Sequence, residues 1–192
     1  MLDWSTPFKY LGVTFNCNKR LSVDISILKR KYFTACNSVL GKAKCLDDIV
    51  KLDLLQAFCF PILCYSVAAV PLSKTQIDEL NACWNFVYRR VFGFHNWESV
   101  SNFIAGLGRL NFKYTRLLMC LKLVKKSLTC NNVICKSAAL RYCLSPKFNE
   151  VCVNIGIQSP DCVQLYNVIR NISFKETRRL TSKQFSASCV AR

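Results

Sequence analysis

Phe8-Lys9-Tyr10-Leu11-Gly12-Val13-Thr14-Phe15 is the stretch that decides how the first part of the chain folds. It reads as a short strand with one glycine in its middle. Alternate side chains face opposite sides of a strand, so one face would hold Phe8, Tyr10, Gly12 and Thr14. A glycine inside a strand marks a bulge or a close backbone approach. We therefore predict one short strand over residues 8–15, with Gly12 at a bulge.

The composition indicates a globular, strongly basic chain. Its 192 residues are enough for one domain or two small ones. Of these residues, 52% are hydrophobic, a fraction that is not typical of disorder. The net charge is +16, and it is uneven: residues 1–100 hold 12 basic and 8 acidic side chains, whereas residues 101–192 hold 15 and 3. Such an excess favours a polyanionic partner, most simply nucleic acid. A solvated basic surface without a partner is the alternative.

The thirteen cysteines do not follow a metal-binding pattern. No two are spaced C-x-x-C, and His95 is the single histidine, whereas a structural zinc site takes paired Cys and His ligands at close spacing. The N-terminus lacks the apolar run of a secretory signal. We therefore predict free thiols, no metal or cofactor, and an intracellular protein of the nucleus or cytoplasm.

The first long helix is predicted at residues 24–45. Asp24 is a plausible N-cap, and apolar side chains recur after it at helical spacing. Lys29, Arg30 and Lys31 fall on or beside the outer face. These side chains either contact a phosphate backbone or are simply solvated.

Residues 54–73 contain no charged side chain and are long enough to span a bilayer. Pro61 lies in the middle of this run and Pro71 closes it. A buried core helix that is broken at Pro61 explains the same features. We favour the core helix and keep a membrane anchor as the alternative.

The clearest helix signal begins at Ser73. Ser73 and Gln76 match a capping box, and Arg89 and Arg90 lie in the last turn, where positive charge complements the helix dipole. Gly93 is a natural residue to end the helix.

The second half is predicted to be helical and basic. Residues 94–111 indicate a turn between short helices. Helices follow at about 112–128 and 132–144, and a last helix is predicted at about 161–172. Residues 173–192 are predicted to form a disordered tail. The basic side chains of the first of these helices are Lys113, Arg116, Lys122, Lys125 and Lys126.

Four blocks of the sequence occur in the order found in one known family. They are Phe8–Val13, Ser38–Gly41, Pro61–Tyr65 leading into Ala68–Leu72, and Ile77–Phe86. Together, residues 8–93 resemble the end of the palm and the helical thumb of a reverse transcriptase from non-LTR (LINE-type) retrotransposons. Residues 94–144 resemble the region that follows the thumb, and no resemblance extends beyond about residue 145.

The resemblance implies a mainly α fold, a helical thumb-like bundle with a short N-terminal β-strand or hairpin. Its divisions would be an end-of-palm β element at 1–20, a thumb-like domain at 21–93, a basic post-thumb region at 94–172 and the tail. The catalytic aspartates of the family, in a Tyr-x-Asp-Asp turn and further upstream, would lie before Met1. Without them the chain is expected to lack polymerase activity, because two metal ions must clamp the reacting oxygens.

The resemblance also implies a binding mode. A thumb grips a template–primer duplex (RNA–DNA or DNA) through its backbone, so binding should be largely independent of sequence. The candidate contacts are Lys9, Tyr10 and Gly12 by resemblance, Lys29, Arg30 and Lys31 by position and charge, and the five basic residues at 113–126 as an extension. Two alternatives stay open: a free-standing basic helical interaction protein, and a membrane-associated protein anchored by residues 54–73.

Overall fold

The computed structural model describes residues 7–17, 21–65, 67–154 and 174–190. Backbone contacts divide the chain into two compact units, Met1–Val100 and Ser101–Arg192. The sequence placed this boundary earlier, after residue 93. The fold is mainly α with a small N-terminal sheet, as predicted.

The elements of the first unit are β1 (Pro7–Tyr10), β2 (Val13–Cys17), β3 (Leu21–Asp24), α1 (Ser26–Lys42), α2 (Asp48–Phe58), α3 (Phe60–Cys64) and α4 (Lys74–Phe92). The elements of the second unit are α5 (Ser101–Gly106), α6 (Phe112–Thr129), α7 (Val133–Cys143), α8 (Pro146–Asn154) and α9 (Phe174–Val190).

The opening stretch forms a hairpin, which confirms one of the two forms predicted for the N-terminal β element. The other form, a single strand with a bulge at Gly12, was wrong. The chain reverses at Leu11 and Gly12, whose φ angles are 45° and 80°. This two-residue turn with positive φ at both positions suits the right-handed twist of paired strands. Phe8 now lies opposite Phe15, and their rings stack at 5.2 Å. The sequence had placed these two rings on opposite faces.

A third strand completes an antiparallel sheet in the order β1-β2-β3. Because β3 ends at Asp24, the β element extends past the predicted limit at residue 20. Helix α1 begins two residues later than predicted. The Asp24 carboxylate accepts the Ser26 backbone N–H at 2.8 Å. Hydrogen bonds from the Ser26 side chain and then from this N–H lower the pKa of Asp24.

The uncharged run at 54–73 divides into two short helices, as the position of Pro61 predicted. Helix α2 ends at Phe58, and Pro61 lies in the first turn of α3, where its missing N–H costs nothing. Leu55, Cys59 and Leu63 are fully buried. Within the part of the chain that the structure describes, no helix has the length and apolar character to cross a membrane.

Helix α4 confirms the predicted capping box. Ser73 Oγ accepts the Gln76 N–H at 3.1 Å, and Gln76 Oε1 accepts the Ser73 N–H at 3.0 Å. Gln76 also donates from Nε2 to the carbonyl oxygen of Val23 at 2.6 Å, which ties the start of α4 to β3. Gly93 ends the helix with a φ of 71°.

Replacing Ser73 by alanine is expected to lower the free energy of unfolding by about 1 kcal/mol, because one orphan N–H of α4 loses its acceptor. Chemical denaturation monitored by circular dichroism measures the change. Ser38→Ala, an exposed site inside α1, is the matched control and should change stability by less than about 0.5 kcal/mol. Equal effects of the two substitutions would contradict the capping role.

Aromatic side chains form the core of the first unit. The ring centroids of Phe60 in α3 and Trp84 in α4 are 3.9 Å apart. Tyr32 of α1 and Tyr88 of α4 also pack against the Phe60 ring. All four residues are buried. The core therefore joins α1, α3 and α4.

In the second unit, α6 contacts α7, α8 and α9. Asn111 and Asn132 cap α6 and α7, each accepting backbone N–H groups through its side-chain oxygen. Helix α8 was not predicted: it lies between the helices predicted at 132–144 and 161–172, and it begins at Pro146, a residue type that suits the first turn of a helix.

The disordered tail predicted at 173–192 was also wrong, since α9 spans most of it. Phe185 of α9 is buried and its ring lies 5.2 Å from that of Tyr114 on α6. This contact explains why a segment rich in Ser and Thr is helical. The helix predicted at 161–172 lies outside the described residues, as do residues 1–6 and 18–20.

Candidate nucleic-acid interface

The predicted binding residues are divided between the two units. Lys9, Tyr10, Gly12, Lys29, Arg30 and Lys31 belong to the first unit, and the five basic residues of α6 belong to the second. The structure thus gives two separate basic groups, one built on the hairpin and α1, the other on α6.

The hairpin presents Lys9 and Tyr10 at its tip. Both side chains are exposed, and they lie opposite Thr14 and Val13 in the register. Gly12 allows the hairpin turn, because its φ of 80° is rare for residues with a side chain. A Cβ added there would meet the ring of Tyr65 at 3.6 Å, an ordinary contact distance.

A cavity of about 390 Å³ lies beside this turn and brings two of the predicted residues together. Gly12 and Lys31 both line it, with apolar side chains that include Ile27, Pro61 and Val70. Lys9 and Tyr10 do not line it. Lys31 is thus a basic residue at the edge of a largely apolar recess.

The three consecutive basic residues of α1 are not equivalent: Lys29 is half-buried, whereas its two neighbours are exposed. The Lys29 ammonium forms a salt bridge with Glu79 of α4, with 2.6 Å between Nζ and Oε2. This hydrogen bond raises the pKa of Lys29. Arg30 and Lys31 are exposed. A phosphate would have to compete with Glu79 for Lys29, so the main candidates on α1 are Arg30 and Lys31.

Helix α6 carries the densest basic surface. Its sequence FKYTRLLMCLKLVKKSLT contains five basic residues and no acidic one. Lys113, Lys122 and Lys126 are exposed, and Arg116 and Lys125 are half-buried. The buried residues of the helix are Phe112, Leu118, Cys120, Leu121, Val124 and Leu128. At 3.6 residues per turn, the basic side chains nearly encircle this apolar stripe.

Lys122 and Lys126 are one turn apart on this helix. Like charges at this spacing cost a few tenths of a kcal/mol in an isolated helix. A bound polyanion would reverse that cost, because it places negative charge between the two ammonium groups. This arrangement can hold a phosphate backbone without reading a base.

The loop after α4 is a feature that the sequence marked without assigning a role. The Arg89 guanidinium donates two hydrogen bonds to the carbonyl oxygen of Glu98, at 3.0 and 2.8 Å. The rings of His95 and Trp97 stack in parallel, with centroids 5.0 Å apart and 4° between the planes. Both side chains are exposed. Stacking between residues i and i+2 of a loop gives no periodic signal in the sequence.

The cysteines of the described residues are free thiols, many of them packed as apolar groups, as predicted. Burial raises the pKa of Cys36 and Cys64 to about 12, and that of Cys143 and Cys152 to about 11. These thiols stay protonated at neutral pH. Among the residues whose placement is described, no three His, Cys, Asp or Glu side chains group as metal ligands would.

Comparisons of the chain with models of protein families, with characterised proteins and with solved structures found no match.

Proposed function

We propose that this protein binds nucleic acid through its phosphate backbone and without sequence preference. The observation that supports this most strongly is α6, a helix with five basic residues and no acidic residue. Arg30 and Lys31 of α1 add a second basic group. Backbone contacts of this kind fix position and carry no base information.

The proposal extends to the protein's origin. We infer that residues 1–192 are related to the thumb region of a non-LTR retrotransposon reverse transcriptase, bind a template–primer duplex and do not themselves catalyse nucleotide transfer. Two features support this inference. The hairpin β1–β2 comes before the amphipathic helix α1, and the capped helix α4 follows the segment that is broken before Pro61. The sequence blocks that resemble this family coincide with those elements.

Fluorescence anisotropy with an RNA–DNA hybrid, a DNA duplex and polyglutamate tests the binding proposal. We expect both duplexes to bind and to compete with each other. Polyglutamate at equal charge concentration should compete poorly, because its carboxylates are spaced differently from phosphates. Preferential binding of polyglutamate would contradict the proposal and favour a basic interaction protein with an acidic protein partner.

Primer extension on a primed RNA template with Mg²⁺ or Mn²⁺ tests the absence of catalysis. Two-metal nucleotide transfer needs a set of carboxylates, and we expect residues 1–192 to produce no extended primer. An active reverse transcriptase added to the same reaction is the control that the template can be copied. Extension by the purified chain alone would contradict this part of the proposal.

Helix α1 gives a graded test of phosphate contacts. Arg30→Ala with Lys31→Ala should flatten the dependence of log affinity on log salt concentration by about 1.8, since each phosphate contact contributes about 0.9.

Glu79→Gln should tighten duplex binding several-fold, because it releases Lys29 and removes a negative charge. Asp47→Asn, at the exposed acidic residue before α2 whose side chain makes no capping hydrogen bond, is the matched control for a lost negative charge. Equal effects of the two neutralisations would show that Lys29 does not contribute.

A further inference from the structure

The loop after α4 is held in one conformation by a network of hydrogen bonds. The Arg89 guanidinium binds the Glu98 carbonyl from the last turn of α4. The Glu98 carboxylate accepts the backbone N–H of His95 at 2.6 Å, and the Glu98 N–H binds the carbonyl of His95 at 3.1 Å. The loop therefore presents its side chains from a fixed backbone.

This loop exposes a flat aromatic surface. Trp97 is 79% exposed, the largest exposed fraction of the aromatic side chains described as exposed, although tryptophan is normally largely buried. Its ring lies parallel to that of His95 at 5.0 Å. The pair thus forms a platform of two parallel rings. Because these side chains are already ordered, binding a ligand costs little further conformational entropy.

The ligand that best fits such a platform is another flat π system in a negatively charged molecule. The platform follows directly on the last turn of α4, where Arg89 and Arg90 lie. Arg90 also donates to Asn37 of α1 at 2.6 Å, so α4 is tied near its end to the helix that carries Arg30 and Lys31. A single-stranded nucleic acid supplies both a base face and a phosphate charge, and base stacking on aromatic side chains is tolerant of sequence.

We propose that His95 and Trp97 form a stacking platform for an unpaired nucleobase. This inference rests on the proposed binding of nucleic acid and adds to it a contact with bases in single-stranded regions, such as the template that extends beyond a primer. Duplex bases are stacked on each other and do not offer a free face, so the platform distinguishes single strands from duplexes. The chemistry does not depend on which base is present.

The test compares a ten-nucleotide thymidine strand with a strand of equal length in which the central positions are abasic. The two have the same phosphates and differ only in the bases. The wild-type chain should bind the thymidine strand about tenfold more tightly, in line with the stacking of one base. Trp97→Ala should abolish this difference and leave the affinity for the abasic strand unchanged, whereas Trp97→Phe should preserve most of it.

Phe58→Ala, at another exposed aromatic residue of the first unit, is the matched control and should leave both affinities unchanged. Equal wild-type affinity for the two strands would overturn the platform while leaving phosphate binding intact. Absence of binding to either strand and to duplex would overturn the proposed function itself. Equal weakening of both strands by Trp97→Ala would also overturn the platform, since it would show a loss that does not involve bases.

Discussion

Replacing Phe60 by alanine is expected to lower the free energy of unfolding of the first unit by about 3–5 kcal/mol. Phe60 is 3% exposed, and its ring packs against Trp84 at 3.9 Å and against Tyr32 and Tyr88. Truncation leaves a cavity among rigid rings that cannot close around it. Chemical denaturation monitored by the fluorescence of the buried Trp84 measures the change.

Phe58→Ala is the control within the same segment. Phe58 lies two residues earlier, at the end of α2, and is 65% exposed. Its truncation should change stability by less than about 0.5 kcal/mol. If Phe58→Ala cost as much as Phe60→Ala, the assignment of the buried face of this segment would be wrong.

Neutralising the basic surface of α6 is expected to have the largest effect on binding. The variant replaces Lys113, Arg116, Lys122, Lys125 and Lys126 by glutamine, which keeps helix propensity close to that of lysine. Affinity for an RNA–DNA hybrid should fall on the order of a hundredfold or more near 0.1 M salt, and the salt dependence should flatten by up to about 4.5. Anisotropy titrations at several salt concentrations measure both.

The second unit offers a control with the same change in net charge. Lys136, Arg141, Arg178, Arg179 and Lys183 lie on α7 and α9, and none of them is buried. Their replacement by glutamine should weaken binding much less, because they are not on the proposed surface. Equal losses in the two five-site variants would mean that net charge, and not α6, determines the affinity.

The sequence predicted the elements whose signals are local. The start of α4 follows from Ser73 and Gln76, three residues apart, and the break between α2 and α3 follows from Pro61. The hairpin was predicted only as one of two forms, because turns of its type favour Asn-Gly, whereas Leu11 occupies the first position with a φ of 45°. Helix α9 was missed because its stability comes from packing of Phe185, which composition does not show.

The candidate site was only partly predictable for the same reason. The density of positive charge on α6 follows from the sequence, because residues 112–129 contain five basic side chains and no acidic one. The salt bridge between Lys29 and Glu79 joins residues 50 positions apart. No local pattern indicates such a pair, and it changes which side chains of α1 are the main candidates for phosphate binding. The His95–Trp97 stack depends on a loop conformation that Arg89 and Glu98 hold.

The salt dependence of duplex affinity tests the central claim most directly. Affinities of the intact chain for three unrelated 16-base-pair duplexes would be measured from 50 to 200 mM salt. Contact with five or more phosphates predicts a slope of log affinity against log salt of about −4.5 or steeper, and the same slope for all three sequences. A slope near zero, or tight binding to one sequence alone, would contradict recognition through the phosphate backbone.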